Sequence, residues 1–321
     1  MKAIRISKTG GPDVLEWTDV DLPPPAPGEA RVRHTAVGVN FIDIYHRTGL
    51  YKVPLPAILG SEAAGVVDTV GAGVTAVKPG DRVAYFGNNA YAEANNVPAA
   101  RLVRLPAEIS DEVAAAAMLK GMTAQYLLKR TYPVKKGQTI LWHAAAGGVG
   151  LIACQWARHL GVHVIGTVGA ESKMALARKH GAGHVLSTHD PHWPGKVREL
   201  TGGEGVPVVY DSVGKATWEG SLDCLAIRGM MVSFGNASGP VPDISPGVLS
   251  AKGSLYLTRP SLFHYTRTAE ELQQTADDLF DVIRSGAVKI EIHQRFRLSD
   301  AAKAHEALQS RATTGATILL P

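Results

Sequence analysis

The stretch Leu141-Trp142-His143-Ala144-Ala145-Ala146-Gly147-Gly148-Val149-Gly150 decides the reading of this 321-residue chain. It sets Ala145, Gly147 and Gly150 at the spacing of G-x-G-x-x-G, with alanine in the first slot. A strand pattern over 139–143 precedes it, and a helix pattern over 149–160, stopped by Gly161, follows. In such a turn the middle glycine lets the backbone approach a pyrophosphate, and the last lets the helix pack on the strand. Unpaired N–H groups and the positive dipole end at the helix start then face the phosphates. A glycine match alone also suits a bare tight turn. The strand–helix alternation that follows favours a dinucleotide loop.

That alternation runs through a strand at 162–168, a helix at 172–180 stopped by Gly181, and strands at 206–210 and 230–234 around a helix candidate at 216–226. Spacing of this kind implies right-handed βαβ crossovers and a parallel sheet. Upstream, short strands are punctuated by proline and glycine. One segment around Val32 and Ala36 follows Pro27-Gly28, a run at 63–70 closes on Gly71-Ala72-Gly73, and 82–85 follows Lys78-Pro79-Gly80-Asp81. This predicts a compact, partly closed sheet. Ser110, with Asp111 and Glu112 behind it, has the character of a helix start. Near the end, an amphipathic helix at 270–283, a second opening at Ser299 and a strand at 316–320 leave the βαβ rhythm. The tail is therefore expected to return to the first domain.

The second strand of the alternation bears on the choice of dinucleotide. An NAD site usually carries Asp or Glu at its end, some 20 residues past the glycines, for the ribose 2′-hydroxyl. Here the strand ends Gly166-Thr167-Val168-Gly169, with no acid, and Lys173 follows. A missing carboxylate and an available cation favour a 2′-phosphate and hence NADPH. Glu171 dissents, since it could fold back towards a ribose, and Lys173 could equally be a solvated helix face.

Composition excludes other classes. Hydrophobic residues are 45% and charged residues 19%, enough apolar surface for a buried core and unlike a disordered chain. The net charge of +4 lacks the clustered Lys/Arg runs of a nucleic-acid footprint, so RNA is not an expected partner. Two cysteines, Cys154 and Cys224, cannot build a four-cysteine zinc site, and no H-E-x-x-H pair occurs. Cys154 reads as a small buried residue and His143 as packed rather than ligating. No G-x-S-x-G elbow is present. No signal-peptide core or membrane-length apolar run is found, so a cytoplasmic protein is expected.

With these motifs in view, the chain resembles the medium-chain dehydrogenase/reductase superfamily, and within it the zinc-free, zeta-crystallin-like NADPH:quinone oxidoreductases. The resemblance rests on Gly38-Val39-Asn40-Phe41-Ile42-Asp43, Gly60-Ser61-Glu62-Ala63-Ala64-Gly65, Pro79-Gly80-Asp81-Arg82-Val83, the 144–150 loop, Val209-Tyr210-Asp211-Ser212-Val213-Gly214 and Ser233-Phe234-Gly235-Asn236. Zinc-dependent relatives have a ligand cysteine near Asn40 and a His-Glu pair where this chain has Ser61-Glu62. The implied fold is α/β: a GroES-like β-rich catalytic domain (1–122 and 262–321) plus a Rossmann doubly wound parallel-sheet domain (123–261), with the cofactor in the cleft between them. By the same resemblance Asn40, Phe41 and Tyr45 border the nicotinamide, with Tyr126 close by, and Gly147, Gly148, Val149 and Gly150 hold the pyrophosphate. Gly169 and Lys173 take the 2′-phosphate, and Arg311 is a further contact. Ser212, Phe234, Gly235 and Asn236 line the sheet edge, while Leu257 and Thr258 hold the nicotinamide. Thr188 stands where the family often has tyrosine, so that contact is weaker or passes to His189.

The implied activity is metal-independent reduction of quinones. A quinone accepts hydride readily, so the protein mainly supplies position and electrostatics. Tyr45 and Tyr51 are expected to border the quinone pocket, where a phenol can pass a proton to the developing hydroquinone oxygen. The alternative is that both only pack and solvent provides the proton. Glu62 reads as an orienting or structural carboxylate. Two other functions stand beside this one: reduction of activated C=C bonds in enones or alkenals, and a non-enzymatic nucleotide- or RNA-binding, crystallin-like role. The resemblance also implies a homodimer, through the edge strand near 248–257.

Overall fold

From the second residue the chain is buried at Ala3, Ile4 and Ile6 and accessible at Lys2 and Arg5. The structure is a computed structural model that describes residues 1–321. Strand β1 (Lys2–Ile6) lies between β2 (Glu16–Asp19) and β4 (Ala57–Ile58) in a three-stranded antiparallel sheet. The larger neighbouring sheet is built on β3 (Glu29–Val39), an eleven-residue strand where the sequence suggests only a short mixed segment. It pairs with β5 (Glu62–Val70) and with β7 (Ala94–Pro98), and β6 (Arg82–Phe86) and β8 (Val103–Arg104) extend the sheet from β5. Helix α1 (Phe41–Thr48) leaves β3 directly, and α2 (Asp111–Tyr126) opens with Ser110 accepting the Val113 N–H at 3.2 Å. Ile4, Val32, Val37, Ala63, Val83 and Tyr91 form the core between these sheets.

Six parallel strands follow: β9 (Thr139–Trp142), β10 (His163–Val168), β11 (Ala182–Ser187), β12 (Val206–Asp211), β13 (Leu225–Ser233) and β14 (Tyr256–Thr258). Their order is β11-β10-β9-β12-β13-β14, the doubly wound arrangement in which the chain reverses between β9 and β12. Helices α3 (Gly148–His159), α4 (Met174–Lys179), α5 (Trp193–Leu200) and α6 (Trp218–Asp223) make the crossovers, and α7 (Gly247–Ala251) and α8 (Leu262–Tyr265) flank the edge strand. Two expectations are corrected here. The helix expected over 172–180 starts as a 3-10 turn, Glu171–Lys173, before α4 begins. The helix candidate at 216–226 shrinks to α6, because Leu225 pairs with Val206 and Arg228 adopts φ +60°.

The last segment contains α9 (Ala269–Arg284), β15 (Ile292–Arg297), α10 (Ala301–Gln309) and β16 (Ala316–Leu320). Strand β16 pairs antiparallel with β3, Thr317 opposite Val39, so the tail joins the first sheet. The chain divides into two compact units. The first holds 1–122, 266–284 and 290–321, and the second holds 123–265 and 285–289.

Candidate dinucleotide site

The turn after β9 is held by its own backbone. Ala144 takes φ +51°, the Ala145 N–H donates to the Thr167 carbonyl at 2.9 Å, and the Gly147 N–H returns to the Ala144 carbonyl at 2.9 Å. A Cβ on Gly150 would lie 2.3 Å from the Ala144 oxygen, so only glycine lets α3 start this close to its strand. Ala145, in the slot where the motif has glycine, is accommodated from across the sheet: a Cβ on Gly166 would come within 2.7 Å of the Ala145 methyl. Gly147 caps α3 in an extended conformation, with no side-chain hydrogen bond and no acidic residue in the first turn. The first N–H groups of a helix have no partner within it. Those of Gly148, Val149 and Gly150 therefore point outward from a positive dipole end, a ready anion site.

The turn after β10 has Gly169 and Ala170 exposed, and a Cβ on Gly169 would meet nothing within 4 Å. No carboxylate stands at the strand end. Glu171 and half-buried Lys173 share the 3-10 turn that follows, and Thr188 is bound back to the Val168 carbonyl by its N–H at 2.9 Å.

The loops after β12 and β13 are laced together. The Phe234 N–H donates to the Asp211 carbonyl at 2.7 Å, that of Ala237 to Ser212 at 3.2 Å and that of Ser238 to Val213 at 2.7 Å. A Cβ on Gly235 would lie 2.5 Å from the Ser212 oxygen. Ser212, Phe234 and Asn236 are half-buried along this edge, and Phe234 packs against Trp142 at 5.7 Å between ring centroids. Arg259, which sequence reasoning missed, donates to Ser233 Oγ and to the Gly235 carbonyl, both at 3.0 Å. A cation just past an edge strand was the only signal for it. Leu257 and Thr258 belong to that strand, β14. Tyr126 is buried and stacks on Tyr265 at 4.5 Å, and burial pushes its phenol well above the usual tyrosine range.

Of the expected residues in the first unit, Asn40 is buried at the start of α1, and its amide donates to Glu62 Oε1 at 2.9 Å. Glu62 also accepts from the Leu119 N–H and from Lys120 Nζ, both at 2.6 Å, and is fully buried. The carboxylate thus ties the start of α1 to α2 by three hydrogen bonds. Gly38 makes room for it, since a Cβ there would lie 2.2 Å from Glu62 Oε1. Tyr45 is buried and Tyr51 half-buried, the two rings meeting edge to face at 5.1 Å. Phe41 packs on Tyr45 at 6.2 Å. Arg311 is exposed, with φ +59°, in the loop after α10. The sequence reading missed Asp43, whose carboxylate accepts from Ser61 Oγ at 2.5 Å, the Asn40 N–H at 2.8 Å and Tyr91 OH at 3.0 Å. Burial outweighs these bonds and raises its pKa to about 6.

The chain matches the alcohol dehydrogenase GroES-like domain over residues 26–134 and the zinc-binding dehydrogenase family over 148–281. A quinone oxidoreductase of Pseudomonas aeruginosa is 55% identical over all of this chain and 99% of its own. A 2-haloacrylate reductase of a Burkholderia species is 45% identical over 99% of this chain and 98% of its own. The crystal structure of Escherichia coli quinone oxidoreductase complexed with NADPH superposes with a TM-score of 0.98 at 50% identity, covering all of both chains. A β-rich unit joined to a doubly wound unit with an open glycine turn defines a medium-chain dehydrogenase/reductase. Within that superfamily the chain belongs to the quinone oxidoreductases, as its motifs imply.

One matching family is described by zinc, and the donors present do not suit that ion. Zinc sites draw on thiolate, imidazole and carboxylate ligands. Both cysteines are buried in the second unit, their thiols pushed up to about 12 mainly by burial. Beside Asn40 and Ser61, Glu62 is engaged by Lys120 and Asp43 by three hydrogen bonds. No group of three or more His, Cys, Asp or Glu side chains converges as metal ligands would.

Proposed function

We propose that this chain reduces quinones with NADPH. The observation that carries the reading is the uncapped start of α3, packed against β9 through Gly150, beside a β10 that ends without a carboxylate. The N–H groups of Gly148, Val149 and Gly150 hold the pyrophosphate, with Gly147 giving close approach. Gly169 and Lys173 receive the 2′-phosphate, on a turn that also carries exposed Glu171. Ser212, Phe234, Gly235, Asn236, Leu257 and Thr258 serve the nicotinamide end, with Tyr126. Asn40, Phe41, Tyr45 and Arg311 are the contacts assigned to the first unit. NADPH, when bound, supplies the hydride, and one proton completes the hydroquinone.

For that proton Tyr51 is the better donor, because it is half-buried while Tyr45 is 8% exposed. A positioned acid is worth roughly 10²–10⁴ in rate. Unchanged turnover of Tyr51→Phe across pH would hand the role to solvent. Reduction of activated C=C bonds is the second reading, supported by the 2-haloacrylate reductase relative. Rates with 1,4-benzoquinone against an enone separate the two. No helix of the chain is long and apolar enough to cross a membrane. A cytoplasmic homodimer fits, formed along β14, whose Tyr256 is 59% exposed. The decisive experiment is fluorescence titration of wild type and Lys173→Ala with NADPH and NADH. We expect wild type to prefer NADPH and the variant to lose about tenfold for NADPH alone, the size of one charge-assisted phosphate contact. Equal binding of both dinucleotides by wild type would sink the 2′-phosphate assignment.

A further inference from the structure

Beneath the glycine turn, at the point where the sheet reverses, a buried polar chain joins three strand ends. Thr167 lies near the end of β10, His143 follows β9, Asp211 closes β12, and Ser221 stands on α6. All four are fully buried. Thr167 Oγ1 lies 2.7 Å from His143 Nδ1, His143 Nε2 lies 2.9 Å from Ser221 Oγ, and Ser221 Oγ donates to Asp211 Oδ2 at 2.9 Å. Asp211 also accepts the N–H groups of Val213 at 2.7 Å and Gly214 at 3.0 Å, and the Thr217 hydroxyl at 2.7 Å.

The donors fix the direction of the chain. Two amides and two hydroxyls converge on Asp211, the partner set of a carboxylate. The single Ser221 proton goes to that carboxylate, so the Ser221 oxygen must accept, and His143 Nε2 carries the hydrogen. Burial disfavours the protonated imidazole, so Nδ1 keeps its lone pair and takes the Thr167 hydroxyl proton. Each hydroxyl and ring proton has one destination, and the sense runs Thr167 to His143 to Ser221 to Asp211. Apolar contacts let neighbouring strands slide by fractions of an ångström, whereas hydrogen bonds restrict both distance and angle.

The segments extending from this chain are the turn at 144–150, the turn at 168–170 and the loop at 212–214. These are the three stretches along which the proposed function lays the dinucleotide, and the inference rests on that reading. We propose that the Thr167–His143–Ser221–Asp211 chain is the positioning device of the dinucleotide site, setting the spacing of three strand-end loops and hence NADPH affinity without touching the cofactor.

The test measures NADPH dissociation constants by fluorescence, on protein shown by circular dichroism to be folded at the working temperature. Ser221→Ala removes one oxygen at nearly constant shape, and His143→Leu removes both ring donors and acceptors. Each is expected to weaken NADPH binding about tenfold, a typical consequence of breaking a buried polar network. The double variant should bind no more weakly than either single one, because one break already opens the chain. His143→Gln, whose amide can both donate to Ser221 and accept from Thr167, should stay within about threefold of wild type. Should His143→Leu fail to fold, Ser221→Ala carries the test by itself. Folded Ser221→Ala with wild-type affinity overturns the proposal, as does strict additivity or a His143→Gln as weak as His143→Leu. A wild-type chain that binds no NADPH overturns the site reading itself, an outcome distinct from any of these.

Discussion

Three helix starts, those of α1 and α2 in the first unit and of α3 in the second, differ in what occupies them. In the first unit, α1 is closed by Asp43, which accepts the N–H of Asn40, and α2 by Ser110, with Asp111 and Glu112 in its first turn. In the second, α3 opens on Gly147 with neither a side-chain cap nor an acid. A helix start left without partners costs stability, and a side-chain cap typically restores about 1 kcal/mol. Two starts are thus completed by the chain itself, while the third keeps its positive end for something outside it. Other helices, among them α5 and α10, also start with no side-chain cap and no acid in the first turn, so it is the open start of α3 together with the close-packed glycine turn that marks the site.

Supplying α3 with the cap it lacks is the strongest way to break this contrast. Gly147 has φ −81° and ψ 173°, the extended conformation of an N-cap, and a Cβ there would sit 3.2 Å from the Ala144 oxygen, so the turn must give only slightly. Gly147→Asp puts a carboxylate where the proposed pyrophosphate lies and satisfies the same N–H groups. Melting temperature should hold or rise, while NADPH affinity falls by about 100-fold, near 2.7 kcal/mol. Titration of folded Gly147→Asp showing affinity within threefold of wild type would remove α3 from the site.

The cap on α1 is sharpened by pH. Asp43 has a folded pKa of about 6, above its ordinary 3.8, because burial disfavours its charge, with Glu62 adding to the effect. Its contribution to stability is therefore complete below pH 4 and lost as pH rises through 6. His34 and His305 run the other way. Burial lowers them to about 4 and about 3, so they favour the folded state above pH 6.5 and cost stability as pH falls. Two histidines outweigh one carboxyl, and wild type should lose stability between pH 7 and pH 5. Asp43→Asn deletes the compensating proton uptake and should steepen that loss by about 1.4 kcal/mol, one pH unit of titration. Urea midpoints of both proteins at the two pH values decide it. An unchanged difference would show that Asp43 does not titrate in this window.

Legibility in the sequence followed whether a feature is local. Residues 316–320 read as a strand and form β16, because a short apolar run between Gly315 and the last proline admits little else. The glycine turn was legible for the same reason, since its demands fall on consecutive backbone positions. Strand β15 was not, because its exposed face carries His293, Arg295 and Arg297 in an edge position. Helix 216–226 was overstated because Leu225 and Ala226 favour helix locally, while pairing of β13 with β12 wins in the folded sheet. The buried chain under the turn was beyond reach. His143 and Ser221 stand 78 positions apart, and each by itself reads as an ordinary packed residue.

The smallest effect isolates the cap on α2. Ser110→Ala removes one acceptor from the Val113 N–H at a position where water can replace part of the loss, and Asp111 remains in the first turn, held by Arg82 at 2.6 Å. The expected cost is about 1 kcal/mol of stability, at the middle of the range for serine caps. NADPH affinity should not move, because this helix start is completed from within the first unit. Set beside Gly147→Asp, the pair reverses the usual link between capping and stability. Removing a cap from α2 should weaken the fold and spare the ligand, and adding one to α3 should spare the fold and expel the ligand. If Ser110→Ala weakened NADPH as much as it weakened the fold, the two helix starts would not be independent, and the division drawn between them would fail.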